Sequence, residues 1–159
     1  MSPIKVLLLV LVLLSCQKQE KLIQTKMDEI KGQWKIDSFE ATNATPSQWK
    51  GLVKSGIFVF NNCSSKSVKK DNSYCKADVE LNSEIYSLTY RFDTYYIFNL
   101  SPISKDGSGT IVHFPDDFLL TALMQGKWEL IVSDNTMIGK QIAKPRNPDV
   151  LSVFRATRK

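Results

Sequence analysis

The sequence contains few of the residues from which catalytic centres and metal sites are usually built. Histidine occurs once, as His113, so a catalytic triad or a histidine-ligated metal centre would depend on that single side chain. No Gly-x-Ser-x-Gly turn and no phosphate-binding glycine loop occurs. Asp116 and Asp117 are adjacent, and side chains at adjacent positions of a strand point to opposite faces. We therefore expect no enzyme activity, no cofactor and no metal ion.

A dense stripe of basic residues is also missing. The formal net charge is only +5, and lysines and arginines alternate with acids along the chain. Nucleic-acid-binding domains concentrate positive charge on one face or carry a recognition motif, and neither is present. We therefore expect no nucleic-acid partner.

No apolar run is long enough to span a bilayer. Residues 6–14 are nine consecutive apolar residues, whereas a membrane-spanning helix needs about 20. Lys5 precedes this run and Ser15-Cys16 follows it, which is the order found in cleaved export signals.

Leu13-Leu14-Ser15-Cys16 resembles the lipobox of bacterial lipoproteins, although Leu14 is larger than the residue usual at that position. The resemblance implies that residues 1–15 are removed and that Cys16 is acylated with diacylglycerol and a palmitate-like chain. At about 0.8 kcal/mol per buried methylene, several such chains anchor a protein almost permanently. The implied location is the membrane of the bacterial cell envelope, the outer membrane in particular. An ordinary secretory signal that happens to precede a cysteine is the alternative.

Cys63 and Cys75 are predicted to form a disulfide. They flank a polar segment of eleven residues, and an exported protein meets an oxidising compartment in which paired cysteines persist as disulfides. A zinc site is the alternative, but the spacing lacks the close ligand pairs of zinc sites.

Residues 16–31 are predicted to be a lipidated tether that ends in a short helix of one or two turns. The segment is polar, and Leu22, Ile23, Met27 and Ile30 recur near helical spacing. Removing fifteen signal residues from 159 leaves 144, which suits one domain beyond this tether, at residues 32–159.

From Gly32 onward, apolar residues follow the period of two that is typical of half-buried strands. The pattern is clearest where Ala77, Val79 and Leu81 share one face. About eight or nine strands are predicted, with candidates at 33–40, 57–60, 76–81, 85–92, 95–100, 110–114, 118–124, 127–132, 136–142 and 150–157. Segment 118–124 is ambiguous between helix and strand, and we expect a strand paired with 127–132.

Short polar connections such as Asp93-Thr94 and Asp134-Asn135 separate these segments. Connections this short join antiparallel neighbours, because a parallel pair needs a long crossover. The fold class is therefore all-β, either an antiparallel up-and-down barrel of about eight strands or a β-sandwich.

Gly32-Gln33-Trp34 opens the first predicted strand and resembles the Gly-x-Trp motif of lipocalins and of lipocalin-like bacterial lipoproteins. The resemblance implies a barrel whose floor is closed by Trp34, with Arg155 or Arg158 packed over its indole. Gly126-Lys127-Trp128 repeats the motif.

Aromatic residues on the predicted strands are the remaining functional candidates. Tyr86, Tyr90, Phe98 and Trp128 are the proposed ligand-lining residues, since inward rings line cavities when they do not fill a core. We expect binding of a small hydrophobic ligand. The alternative is a filled core whose outer face holds an envelope protein or a glycan.

Replacing Cys16 with serine should release the protein from membranes, because the variant lacks the acylated thiol. Partition between detergent and aqueous phases measures this. If Cys16→Ser enters the detergent phase as the parent does, the anchor lies elsewhere.

Overall fold

A computed structural model of the chain describes residues 3–41, 56–71, 73–81, 84–102, 124–143 and 150–159. Two helices and eight strands are formed by these residues. The helices are α1 (Pro3–Ile30) and α2 (Ser65–Asp71). The strands are β1 (Gly32–Ala41), β2 (Gly56–Phe60), β3 (Cys75–Leu81), β4 (Glu84–Phe92), β5 (Ile97–Pro102), β6 (Gly126–Ser133), β7 (Thr136–Ala143) and β8 (Ser152–Arg158).

The eight strands form a closed up-and-down β-barrel, as the sequence predicts. Each strand pairs antiparallel with the next, and β8 pairs with β1 to close the barrel. Closure rules out the β-sandwich. We call the end at which β1 begins the floor, and the end at which β1 finishes the upper end.

Helix α1 is much longer than the predicted short helix, so the expectation of one or two turns after a polar tether was wrong. It runs without interruption for 28 residues. The sequence between Pro3 and Gly32 contains no further proline or glycine, and Lys, Glu, Gln, Leu and Met lose little side-chain freedom in a helix. No helix within the described ranges is long and apolar enough to cross a membrane.

Three predicted strand segments have other outcomes. Segment 110–114, together with His113, Asp116 and Asp117, lies outside the described residues. The predicted pairing of 118–124 with β6 was wrong, because β5 and β7 occupy both edges of β6. Met124, the one described residue of that segment, is helical. The strand predicted at 95–100 begins at Ile97, and Tyr95 and Tyr96 lie in the connection between β4 and β5.

Alternation of buried and exposed side chains builds the core inside the barrel. In β3, Cys75, Ala77, Val79 and Leu81 are buried while the intervening residues face outward. A bulge between Ile36 and Ser38 shifts the register of β1, and it lets Phe39 pack against the core in a later part of the strand.

The Cys63–Cys75 disulfide is present, with its Cα atoms 5.7 Å apart. It joins the residues after β2 to the first residue of β3, across α2, at the floor. A closed loop of this length stabilises the fold by about 3 kcal/mol in the chain-entropy model.

Gly139 should not tolerate alanine, because Phe154 on the neighbouring strand covers it. A Cβ atom at Gly139 would lie 2.2 Å from Cε1 of Phe154. Overpacking of this kind costs about 1–3 kcal/mol. Urea denaturation should show this loss for Gly139→Ala and almost none for Lys140→Ala, an exposed change in the same strand. Equal midpoints for the two variants would contradict the packing described here.

Candidate functional site

The two Gly-x-Trp motifs adopt the same local structure at opposite ends of the barrel. Gly32 and Gly126 each begin a strand with a positive φ, of 112° and 141° respectively, which glycine adopts without steric cost. A helical residue lies two positions before each glycine, Ile30 in one case and Met124 in the other. Because β1 and β6 run in opposite directions, the first motif lies at the floor and the second at the upper end.

Each tryptophan is locked by the same hydrogen bond. The indole Nε1 of Trp34 donates to the carbonyl oxygen of Ile30 at 2.7 Å, and that of Trp128 donates to the carbonyl oxygen of Met124 at 2.9 Å. Both side chains are fully buried, so the bond satisfies the one polar atom of each ring. Each ring is therefore fixed in the core by the turn that opens its strand.

Arg158 packs over Trp34, and Arg155 does not. The Arg158 guanidinium carbon lies 4.3 Å from the Trp34 ring centroid. Its Nη1 donates to the carbonyl oxygen of Lys31 at 3.1 Å and its Nη2 to that of Glu29 at 2.6 Å. Arg155 is exposed on β8, where it pairs with Ile138. A single side chain thus joins β8, β1 and the negative C-terminal end of α1.

Aromatic rings in mutual contact occupy the lumen. The contacts form one continuous series, and all of its rings but Phe39 are buried. The contacts run in order through Phe98, Phe92, Tyr90, Phe60, Phe58, Phe154, Trp128 and Phe39, with centroids 5.0 to 6.5 Å apart. Each such pair adds about 0.5–1.5 kcal/mol beyond the burial of its surface.

The proposed ligand-lining residues are parts of this packed interior. Tyr90, Phe98 and Trp128 are 1%, 0% and 0% exposed, and Phe98 pairs with Trp128 across β5 and β6. Tyr86 lies nearer the upper end, where it is half-buried and packs against the core. The structure brings the first three together as members of one core, and Tyr86 lies at its edge.

Polar atoms are also buried in the lumen. The Gln141 amide donates to the carbonyl oxygen of Gln125 at 2.9 Å and accepts from the backbone N–H of Ser152 at 3.1 Å. The hydroxyls of Tyr90 and Ser152 are buried without a hydrogen-bond partner. Burial raises the pKa of Tyr90 to about 12, because an apolar environment disfavours the phenolate.

Sequence reasoning missed Gln141 and Ser152. Both are polar residues at inward positions of apolar strands. The signal was available, since Met137, Gly139 and Gln141 continue the alternation of β7. A polar residue in phase with a buried row is the pattern that would have found this pair.

A polar cleft lies under α1 at the floor. Its volume is about 510 Å³, and its lining includes Gln24, Cys63, Ser67 and Tyr74. The Gln24 amide fixes α1 here by donating to the carbonyl oxygen of Cys63 and accepting from the backbone N–H of Ser65. Within the described part of the chain, no group of three or more His, Cys, Asp or Glu side chains is arranged to hold a metal ion.

Comparison with protein-family models, curated proteins and solved structures found no match to this chain.

Arg158→Lys should lower the free energy of unfolding by about 1–2 kcal/mol, because lysine keeps the charge but loses the planar stack and one carbonyl contact. Arg155→Lys is the matched control and should change it by less than about 0.5 kcal/mol. Chemical denaturation compares the two. If the two variants lose the same free energy of unfolding, the stacking and the second carbonyl contact of Arg158 contribute nothing beyond its charge.

Stability should fall as the pH rises from 10 to about 12, because the unfolded chain releases the Tyr90 proton near pH 10 while the folded chain retains it to about 12. The contribution of Tyr90 is fully present below pH 10, and its loss is about 2–3 kcal/mol. Denaturation at a series of alkaline pH values measures it. Tyr90→Phe should remove this loss, whereas Tyr95→Phe, at an exposed ring, should retain it.

Proposed function

We propose that this protein is a lipid-anchored lipoprotein of the bacterial cell envelope whose lipocalin-like barrel has a filled lumen. Its outer surface holds an envelope protein or a glycan, and the barrel catalyses no reaction. The continuous ring contacts from Phe98 to Phe39 carry this proposal, because side chains that already contact one another leave little room for a ligand.

The size of the barrel supports a filled lumen. Eight strands enclose a space that side chains can just fill or that one small ligand can share. Here one tryptophan, six phenylalanines and a tyrosine contact one another within it. Trp34 adds a further ring at the floor, under the guanidinium of Arg158.

The anchor is supported by the sequence around Cys16. In the mature lipoprotein, Cys16 would be the first residue, and the polar remainder of α1 would lead directly into the floor of the barrel. The outer membrane is the location that the lipobox resemblance favours.

Transport of a small hydrophobic ligand is the second candidate function. The observation that favours it is the pair of unpartnered hydroxyls of Tyr90 and Ser152, both buried within the barrel. An unpaired buried hydroxyl costs about 1–3 kcal/mol, and a ligand with one polar end would relieve that cost at either position.

Titration of a fluorescent fatty-acid analogue into residues 17–159 separates the two functions. This fragment retains the described α1 contacts with the core, which begin at Ile23. The filled lumen predicts no saturable signal, with Tyr90→Phe and Ser152→Ala behaving like the parent. Saturable binding that Tyr90→Phe or Ser152→Ala weakens, while exposed Thr136→Ala does not, would favour ligand transport.

A further inference from the structure

We infer that the floor of the barrel, with Tyr74, Tyr95 and Tyr96 around it, rests on an anionic lipid surface and that the upper end faces away from the membrane. This inference rests on the proposed lipid anchor at Cys16. It adds an orientation and a contact surface, which anchoring alone does not specify.

Helix α1 keeps the floor close to the anchor. Ile23, Met27 and Ile30 pack against the core, and the Gln24 amide bonds to Cys63 and Ser65. The first packed residue is seven positions beyond Cys16, which is about 10 Å of helix. Because the helix is continuous over these residues, no flexible segment separates the anchor from the floor.

Every exposed tyrosine of the chain lies at this end. Tyr74, next to the first residue of β3, is 54% exposed, and Tyr95 and Tyr96, between β4 and β5, are 48% and 40% exposed. The other two tyrosines, Tyr86 and Tyr90, are half-buried and buried in the barrel wall. Tyrosine is enriched where proteins meet the membrane–water interface, because its ring is apolar and its hydroxyl is polar.

Tyr74 and Leu22 extend the same surface. The Arg91 guanidinium carbon lies 5.3 Å from the Tyr74 ring centroid, and Leu22 on α1 is 42% exposed. An exposed leucine between the anchor and the barrel is explained if the helix lies against lipid.

The charge of the floor matches anionic headgroups. The exposed cations described at this end lie on α1, on α2, on β3 and beside the pairing of β1 with β8: Lys18, Lys21, Lys31, Lys66, Lys70, Lys76, Arg158 and Lys159. The exposed carboxylates described at this end include Asp28, Asp134 and Glu29, whose side chain is 42% exposed and pairs with Lys26, so the exposed cations outnumber them. Each Lys near an anionic surface contributes about 1 kcal/mol of attraction, which salt screens.

The Asp93 carboxylate at the floor is compensated within the protein. Burial alone would raise its pKa, but hydrogen bonds from Asn99 and Lys127 hold that pKa below its ordinary value. The Lys127 ammonium lies 3.2 Å from it. Asp93 is therefore ionised at neutral pH, and Lys127 offsets its charge. The Asp93 carboxylate consequently repels anionic headgroups only weakly.

Isoleucine side chains provide probes at both ends. Ile97 and Ile131 lie towards the floor, and Ile85 and Ile142 lie towards the upper end. Ile131 pairs with Ile138, so Ile142 is four residues higher on β7, about 13 Å along the strand.

The test uses the full acylated protein in nanodiscs of phosphatidylcholine and phosphatidylglycerol that contain a gadolinium-chelate lipid headgroup. Methyl NMR spectra should show the Ile97 and Ile131 signals broadened and the Ile85 and Ile142 signals retained. Equal broadening, the reverse order, or no broadening of any probe in protein that is bound to the nanodisc would overturn the orientation. Failure to enter nanodiscs would instead overturn the anchor, and with it the inference.

A pair of double variants tests the contact residues. Tyr95→Ser with Tyr96→Ser should reduce the difference between floor and upper-end probes, as should high salt. Ile85→Ser with Ile142→Ser removes comparable exposed apolar surface from the upper end and should leave Ile97 and Ile131 broadened. If the two double variants behave alike, the tyrosines do not contact lipid.

Discussion

The contact of Arg158 with Trp34 and with the end of α1 is the interaction on which the rest of the structure depends. It lies where the last strand meets the first, and its two carbonyl hydrogen bonds fix the helix under the floor. A cation near a helix C-terminus is favourable, and a guanidinium stacks well on an indole. Backbone pairing of β1 with β8 closes the barrel, and this one side chain ties that closure to the floor and to the helix that leads back to Cys16.

The second Gly-x-Trp motif fixes its ring in the core by the same hydrogen bond, without an arginine. Trp128 repeats the turn and hydrogen bond of Trp34, but its neighbour on the preceding strand is Phe98, where Trp34 has Arg158. Trp128 is therefore held by contacts with other rings, and Trp34 by the Arg158 guanidinium. Both rings are parts of one mainly apolar core, in which Gln141 and Ser152 are the buried polar residues of β7 and β8.

Period-two alternation was sufficient to predict an antiparallel all-β fold, and the Gly-x-Trp resemblance favoured a barrel over a sandwich. The same alternation could have shown which arginine points inward. Phe154 and Ala156 are inward on β8, so Arg158 is in phase with them and Arg155 is not. Helix α1 was underestimated because helix propensity is a weak local signal and apolar spacing weakens before Leu22. The fit of Phe154 over Gly139 depends on the register of two strands, which no local pattern specifies. The same limit applies to the Gln141–Ser152 bond, since composition does not show which buried polar groups meet.

The pairing of β1 with β8 also determines when this protein can finish folding. Arg158 meets Glu29 across 129 residues of chain, and contacts so distant in sequence form late and slowly. Until β8 is in place, the facing edges of β1 and β7 have no partner strand and the barrel is open. A chain that lacks this last pairing therefore exposes two strand edges to other chains, and the bond from the Lys159 backbone N–H to the carbonyl oxygen of Gln33 belongs to the contacts that remove this hazard.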